Sequence, residues 1–275
     1  MGMAARFAEI NGHRLRYDLR GEGPLTIFGH GLMGSMEQLA PESDEMAALL
    51  KRVRLLTYDA RGHGQSGGPL EPGGYTWEAL GRDMSAFIDH VGEDSAILGG
   101  ASMGAATSLW VALEHPEKVR GLVLVMPPPL ARNVMEVDAE RQAIQLLEIV
   151  AAAVENFGIE KTVEVVRMMP GFAASPEAAE ERAKWLLAQN PLTLKFAIRG
   201  LVASPFHDPE QYRRINVPTL VLAHEGDGLH PVRSATLLKE MIPDCTLHVA
   251  PQAEYWKDHP EEVAVEVERF LERVG

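Results

Sequence analysis

Apolar residues recur along this chain in two alternating rhythms. Residues 6–10 and 13–19 alternate apolar with polar, and Asn11-Gly12 between them is a two-residue hairpin signal, which predicts an opening antiparallel pair. A short apolar run at 25–28 reads as a strand, 37–50 has the spacing of an amphipathic helix, and 53–58 reads as strand again. Residues 76–91 have helical periodicity, with Thr76 as N-cap and Glu78 and Asp83 near the start. A strand at 95–99 follows, then a helix ending near His115-Pro116. The next strand, 120–126, is closed by Pro127, Pro128 and Pro129.

This alternation implies a mainly parallel, doubly wound sheet of about eight strands, covered by helices on both faces. The rhythm breaks after residue 129. From about 130 to 211 there are helical runs at 134–156, 161–168, 176–189 and 192–203, and no convincing strand. Strand patterning returns at 217–223 and 246–249, with helices at 231–241 and 260–274. The expected organisation is one α/β core, residues 1–129 and 212–275, interrupted by a helical lid over 130–211.

Composition narrows the picture only a little. Of 275 residues, 46% are hydrophobic and 24% charged, ordinary for a globular protein. A net charge of −13 argues against nucleic acid or an anionic membrane surface as partner. Cys245 stands alone, so no intramolecular disulfide can form. No apolar run resembles a signal peptide or a membrane span, so the expected location is the cytoplasm. No metal-ligand spacing and no dinucleotide or phosphate loop is present, so neither metal nor cofactor is expected. A small molecule is the expected partner, and the sequence leaves the oligomeric state open.

The candidate chemistry lies at Gly100-Ala101-Ser102-Met103-Gly104, a G-x-S-x-G placed between a strand and a helix. A serine on so sharp a turn takes an unfavourable backbone conformation, and glycine neighbours let strand and helix approach. With His30-Gly31 after the third strand and the run from Tyr58 through Arg61-Gly62-His63-Gly64 to Ser66 after the fourth, the chain resembles the α/β-hydrolase superfamily. It is similar to the lidded branch that holds small esterases, lactone hydrolases and carbon–carbon bond hydrolases.

That resemblance implies Ser102 as nucleophile, the amides of Leu32 and Met103 as oxyanion donors, and Asp227 as the acid after the strand at 217–223. It also implies loop-shaping roles for His30, Asp59, Arg61 and His63. The histidine departs from the pattern. Where the superfamily carries it after the last strand, this chain reads Pro251-Gln252-Ala253-Glu254-Tyr255-Trp256, which places Tyr255 in that position.

A serine hydroxyl needs a base near neutrality, and a phenol with a pKa near 10 is a poor one. His259, four residues further and at most about 14 Å away along an extended chain, reaches inward if the loop is rebuilt. It also reads as a residue at the start of the last helix beside Asp258. His224 and His230 bracket the acid near the same rim of the sheet, and His207 lies where the lid returns to the core. Of these, His259 is the candidate base and Tyr255 the alternative.

The expected function is therefore hydrolysis of a small ester, lactone or thioester through an acyl-enzyme. The alternatives are a lyase, cyclase or acyltransferase using Tyr255, or a binding protein without turnover. The apolar segment 168–172 is expected at the pocket mouth.

Overall fold

Asn11 and Gly12, at φ 49° and 80°, turn β1 (Arg6–Ile10) back on β2 (His13–Arg20), with Ile10 opposite His13. The computed structural model describes residues 6–39, 47, 50–130, 137–167, 176–253 and 255–274. Six further strands follow: β3 (Leu25–Gly29), β4 (Arg54–Tyr58), β5 (Ala96–Ala101), β6 (Val119–Val125), β7 (Thr219–His224) and β8 (Cys245–Ala250). They form one sheet in the order β1-β2-β4-β3-β5-β6-β7-β8. The pairs β1/β2 and β2/β4 are antiparallel and the rest parallel.

Central parallel strands are covered on both faces, so they need apolar residues at consecutive positions. Every residue of β7 is buried, as are five of the six in β5. Helices α1 (Trp77–His90) and α2 (Met103–Glu114) pack against the sheet, α1 capped by Thr76 Oγ1, which accepts from the Ala79 amide at 3.1 Å. The main core joins Leu15, Ile27, Leu98, Phe87, Leu109 and Val221 across these layers.

Between β6 and β7 the described chain holds α3 (Val137–Val166), α4 (Pro176–Leu187) and α5 (Pro191–Ala203), then a 3₁₀ turn at Pro209–Arg214. The range of α3 holds two helical halves, as the runs expected at 134–156 and 161–168 imply, with a kink between them at Gly158, whose φ 79° and ψ 177° are non-helical. These helices bury a core of their own from Val150, Val154, Ile159, Val163, Leu186, Leu194 and Ile198. By length and composition Arg141–Val166 is apolar enough to cross a membrane. Within it Glu155 pairs with Arg199 and Lys195 of α5, as expected of a helix packed on protein.

The helix expected at 37–50 is described only as a 3₁₀ turn at Met36–Leu39 and as helical positions 47 and 50. The segment 168–172, with Val134 and Met135, lies outside the described residues. After β7 comes α6 (Val232–Met241). After β8 come a short helical turn, α7 (Tyr255–Asp258), and α8 (Pro260–Val274). The periodicity along the chain gave no sign of α7.

Candidate active site

Ser102 sits between β5 and α2 at φ 50° and ψ −105°, a conformation that costs a non-glycine residue about 1–3 kcal/mol. The surroundings hold it there. Its N–H donates to the Val125 carbonyl at 2.9 Å, and its carbonyl accepts from Ala106 at 3.0 Å. The flanking glycines are steric necessities. A Cβ on Gly104 would stand 2.2 Å from the Gly29 carbonyl oxygen, and one on Gly100 would stand 2.5 Å from the same atom.

The imidazole beside Ser102 is that of His230. Its Nε2 lies 2.8 Å from Ser102 Oγ, and its Nδ1 lies 2.8 Å from Asp227 Oδ2. An ionised carboxylate only accepts, so Nδ1 carries the proton and Nε2 offers its lone pair to the serine hydroxyl. Local chain geometry explains how two residues three apart achieve this. The other Asp227 oxygen accepts the amides of Leu229 at 2.7 Å and His230 at 3.0 Å, which folds Gly228-Leu229-His230 around the carboxylate. Pro231 follows, with φ −63°, and passes the chain into α6.

Burial alone would raise the Asp227 carboxyl. The hydrogen bond and charge of His230, with the two amides, outweigh it and hold the group well below the usual carboxylate range. His224 Nε2 lies 3.7 Å from the same carboxylate oxygen, and its Nδ1 is bonded to the Glu225 carbonyl at 2.9 Å.

His259 and Tyr255, the residues expected at this place, make their contacts elsewhere. The turn α7 coils the chain after β8, and the His259 amide closes it on the Tyr255 carbonyl at 2.8 Å. The His259 ring packs on Tyr255 at 4.4 Å between centroids and faces Glu261 at 3.7 Å. The Tyr255 hydroxyl donates to Glu262 at 2.9 Å, and that bond is the largest influence raising its pKa further above 10. Both side chains are engaged at the start of α8. His207 is also engaged elsewhere, with Glu114 at 3.1 Å. His230 is legible in the sequence by its spacing, Asp-x-x-His directly after β7, although His259 is the residue expected there.

Met103 follows the serine directly, and Gly31, the neighbour of Leu32, lies so close that a Cβ on it would stand 3.7 Å from Ser102 Cβ. Met103 is the first residue of α2, so its amide has no partner within the helix. Leu32 shares a peptide plane with the Gly31 carbonyl, which accepts from His30 Nδ1 at 2.7 Å and the Gly34 amide at 2.9 Å. Because a trans peptide directs N–H opposite to C=O, those two bonds aim the Leu32 amide away from the turn. Among the described residues neither amide has an acceptor.

Beneath this turn lies a buried polar brace. His30 Nε2 accepts from the Ala60 amide at 2.9 Å, and burial lowers this ring to about 4. His63, also buried, is lowered to about 3 by desolvation and by the neighbouring His30. Asp59 accepts from the Met36 and Gln65 amides, and Arg61 forms a two-pronged pair with Asp83 at 2.6 Å. Among the described residues, atoms able to ligate a metal converge at His259, Glu261 and Glu262, on the surface at the start of α8.

Comparison with known families decides the class. The family model for the alpha/beta hydrolase fold matches residues 24–166, more than half of the 275. The chain belongs to the alpha/beta hydrolase fold family. It is an enzyme of that fold and a hydrolase. It is 27% identical to 2-hydroxy-6-oxo-6-(2'-aminophenyl)hexa-2,4-dienoic acid hydrolase of Metapseudomonas resinovorans, over 98% of this chain and 91% of that one. Against 3-oxoadipate enol-lactonase 2 of Acinetobacter baylyi it is 27% identical, over 82% and 80%. A crystal structure of a hydrolase from Pseudomonas aeruginosa superposes on the hydrolase with a TM-score of 0.78. The two are 25% identical, with 98% of each chain covered.

Proposed function

We propose that this hydrolase cleaves small carboxylic esters, lactones or thioesters through an acyl-enzyme on Ser102. The observation that carries the reading is the relay from Ser102 Oγ to His230 Nε2 and from His230 Nδ1 to Asp227, each link 2.8 Å. His230 takes the serine proton as Oγ attacks the carbonyl carbon. The oxyanion then lies between the Leu32 and Met103 amides, where each donor is worth about 10²–10³ in rate. As the tetrahedral intermediate collapses, His230 returns the proton to the leaving oxygen or sulfur. Water, deprotonated by the same imidazole, then releases the acid. Asp227 holds the ring in the tautomer that this sequence needs.

The helices between β6 and β7 act in this reading as a lid over the site. Leu32 and Met33 pack against their core, which gives the oxyanion side an apolar wall suited to a small acyl group. The enol-lactonase among the relatives supports the lactone end of the substrate range. The test is covalent. A fluorophosphonate probe should add to Ser102 in the native protein, as located by peptide mass spectrometry, and should not add to Ser102→Ala. Native protein that stays unlabelled sinks the reading.

A further inference from the structure

Gln189 is buried, at 4% exposure, in the turn between α4 and α5, and its side-chain amide is bonded on every side. Oε1 accepts from the Gly64 amide at 2.9 Å. Nε2 donates to the Gly34 carbonyl at 3.1 Å and to the Trp185 carbonyl at 3.0 Å. The amide fits in one orientation only, because flipping it would set N–H against N–H and carbonyl against carbonyl. One of its partners, Trp185, lies in the last turn of α4. The other two lie in loops of the α/β core, 155 and 125 residues away in the chain.

The Gly34 contact is the consequential one. Gly34 closes the turn whose Gly31–Leu32 peptide presents the Leu32 amide, and its own N–H is one of the two donors that fix that peptide plane. That turn carries Met33 at φ 64°, an uncommon conformation for a branchless apolar residue that its surroundings must maintain. Its side chains give little polar anchorage, since Leu32 and Met33 pack against the apolar core of the helices. Gln189 therefore supplies a directional bond from the helical segment to the turn that Leu32 belongs to. Thr193 adds a parallel tie, donating to the Gly62 carbonyl at 3.0 Å in the neighbouring loop.

We propose that Gln189 is a positioning residue that couples the seating of the helical segment to the aim of the Leu32 oxyanion donor. The donor is in register only when α4 and α5 are seated and Gln189 holds Gly34. Removal of the helices from the core would leave Gly34 unheld and the Gly31–Leu32 peptide securely fixed only by its bond from His30 Nδ1. This rests on the serine hydrolase reading above, and it adds a dependence of transition-state stabilisation on a residue that does not touch substrate.

The experiment compares native enzyme with Gln189→Met and Gln189→Glu, using p-nitrophenyl acetate turnover and affinity for a small alkyl boronic acid that forms a tetrahedral adduct on serine. Glu keeps the acceptor for Gly64 and loses Nε2, so it cuts the tie to Gly34 together with the local bond to the Trp185 carbonyl, while the tie to the Gly64 loop stays. For both variants kcat should fall about 10- to 100-fold, part of the full loss of a donor. Boronate affinity should fall by a matching factor, while KM changes by less than about 3-fold. Thr193→Val, which unties the other loop, should lower the melting temperature without the boronate loss. If Gln189→Met does not fold, the Glu variant alone decides. Unchanged kcat and boronate affinity in a folded variant, or losses shared equally with KM, overturn the coupling. Native enzyme that neither turns over the ester nor binds boronate overturns the hydrolytic reading, and the coupling falls with it.

Discussion

The loops that follow β7 and β8 leave the same edge of the sheet from paired positions, His224 opposite Ala250, and then behave differently. After β7 the chain wraps tightly around a carboxylate, and within six residues of the strand it presents both Asp227 and His230 to the serine. After β8 it coils into a helical turn, and its aromatic and imidazole side chains bond outward to the first turn of α8. Equal access to the site therefore does not decide which loop places an imidazole beside Ser102. What decides is whether local hydrogen bonds leave a ring free to face the serine. An imidazole has two nitrogens on opposite edges, so a histidine three residues from its acid can bond back to the acid and still point its far nitrogen outward.

The sharpest way to break this comparison is to remove the ring itself. His230→Gln should lower kcat by about 10⁴–10⁶, the range seen when a residue of such a relay is lost. Asp227→Asn should cost about 10⁴, because an amide no longer compels the Nδ1–H tautomer. Steady-state kinetics on an activated ester, with folding checked by circular dichroism, measures both. A loss below 10-fold in His230→Gln would mean that another group takes the serine proton.

Much of this site was legible in the sequence, and the part that was not has a physical cause. Ser102 and the amides of Leu32 and Met103 are fixed by backbone turns whose glycines can be read directly, such as Gly104, where no Cβ fits against Gly29. Asp227 follows from the position of a strand end. His230 was visible as a neighbour of the acid, but its role depends on two amide bonds to Asp227 that fold the intervening residues, and apolar periodicity carries no record of such bonds. The break within α3 was legible as two separate helical runs; Gly158 at φ 79° makes the kink between them, and both halves pack into one core. The strands were better determined, because consecutive buried positions in β5 and β7 leave few alternatives to central parallel strands.

A smaller effect separates His230 from the two histidines beneath the oxyanion turn. His30 and His63 are buried and neutral, lowered to about 4 and about 3 from an unfolded value near 6.5. Below pH 6.5 the unfolded chain takes up a proton at each position, and the folded protein does not until the lower values are reached. Acid therefore favours unfolding. Stability from this source is complete above pH 6.5 and declines as pH falls toward 4, by about 1.4 kcal/mol per pH unit for each ring. Between pH 8 and pH 5 the loss is about 2 kcal/mol per histidine, readable as a lower urea midpoint with unchanged slope. His63→Gln should make that decline shallower by one ring's share. An unchanged pH dependence would show that the ring at 63 is not held neutral. The same low values make these imidazoles poor proton acceptors, so neither should rescue turnover in His230→Gln.

The smallest effects should come from the loop after β8. Tyr255→Phe removes one hydrogen bond, from the phenol to Glu262, at an exposed site where water replaces it readily. His259→Gln removes a ring that packs on Tyr255 and faces Glu261, likewise on the surface. Each should leave kcat and KM on the activated ester within about 2-fold, because neither loses a bond to Ser102, Asp227 or His230. Placing an imidazole in this loop should do no more: Tyr255→His in a His230→Gln background should stay inactive, since the turn at Tyr255–Asp258 directs position 255 toward Glu262. Recovery of even a hundredth of native turnover in that double variant would show that the loop after β8 can still present a base. The division of labour between the two loops would then rest on which ring is present, with the path of the chain secondary.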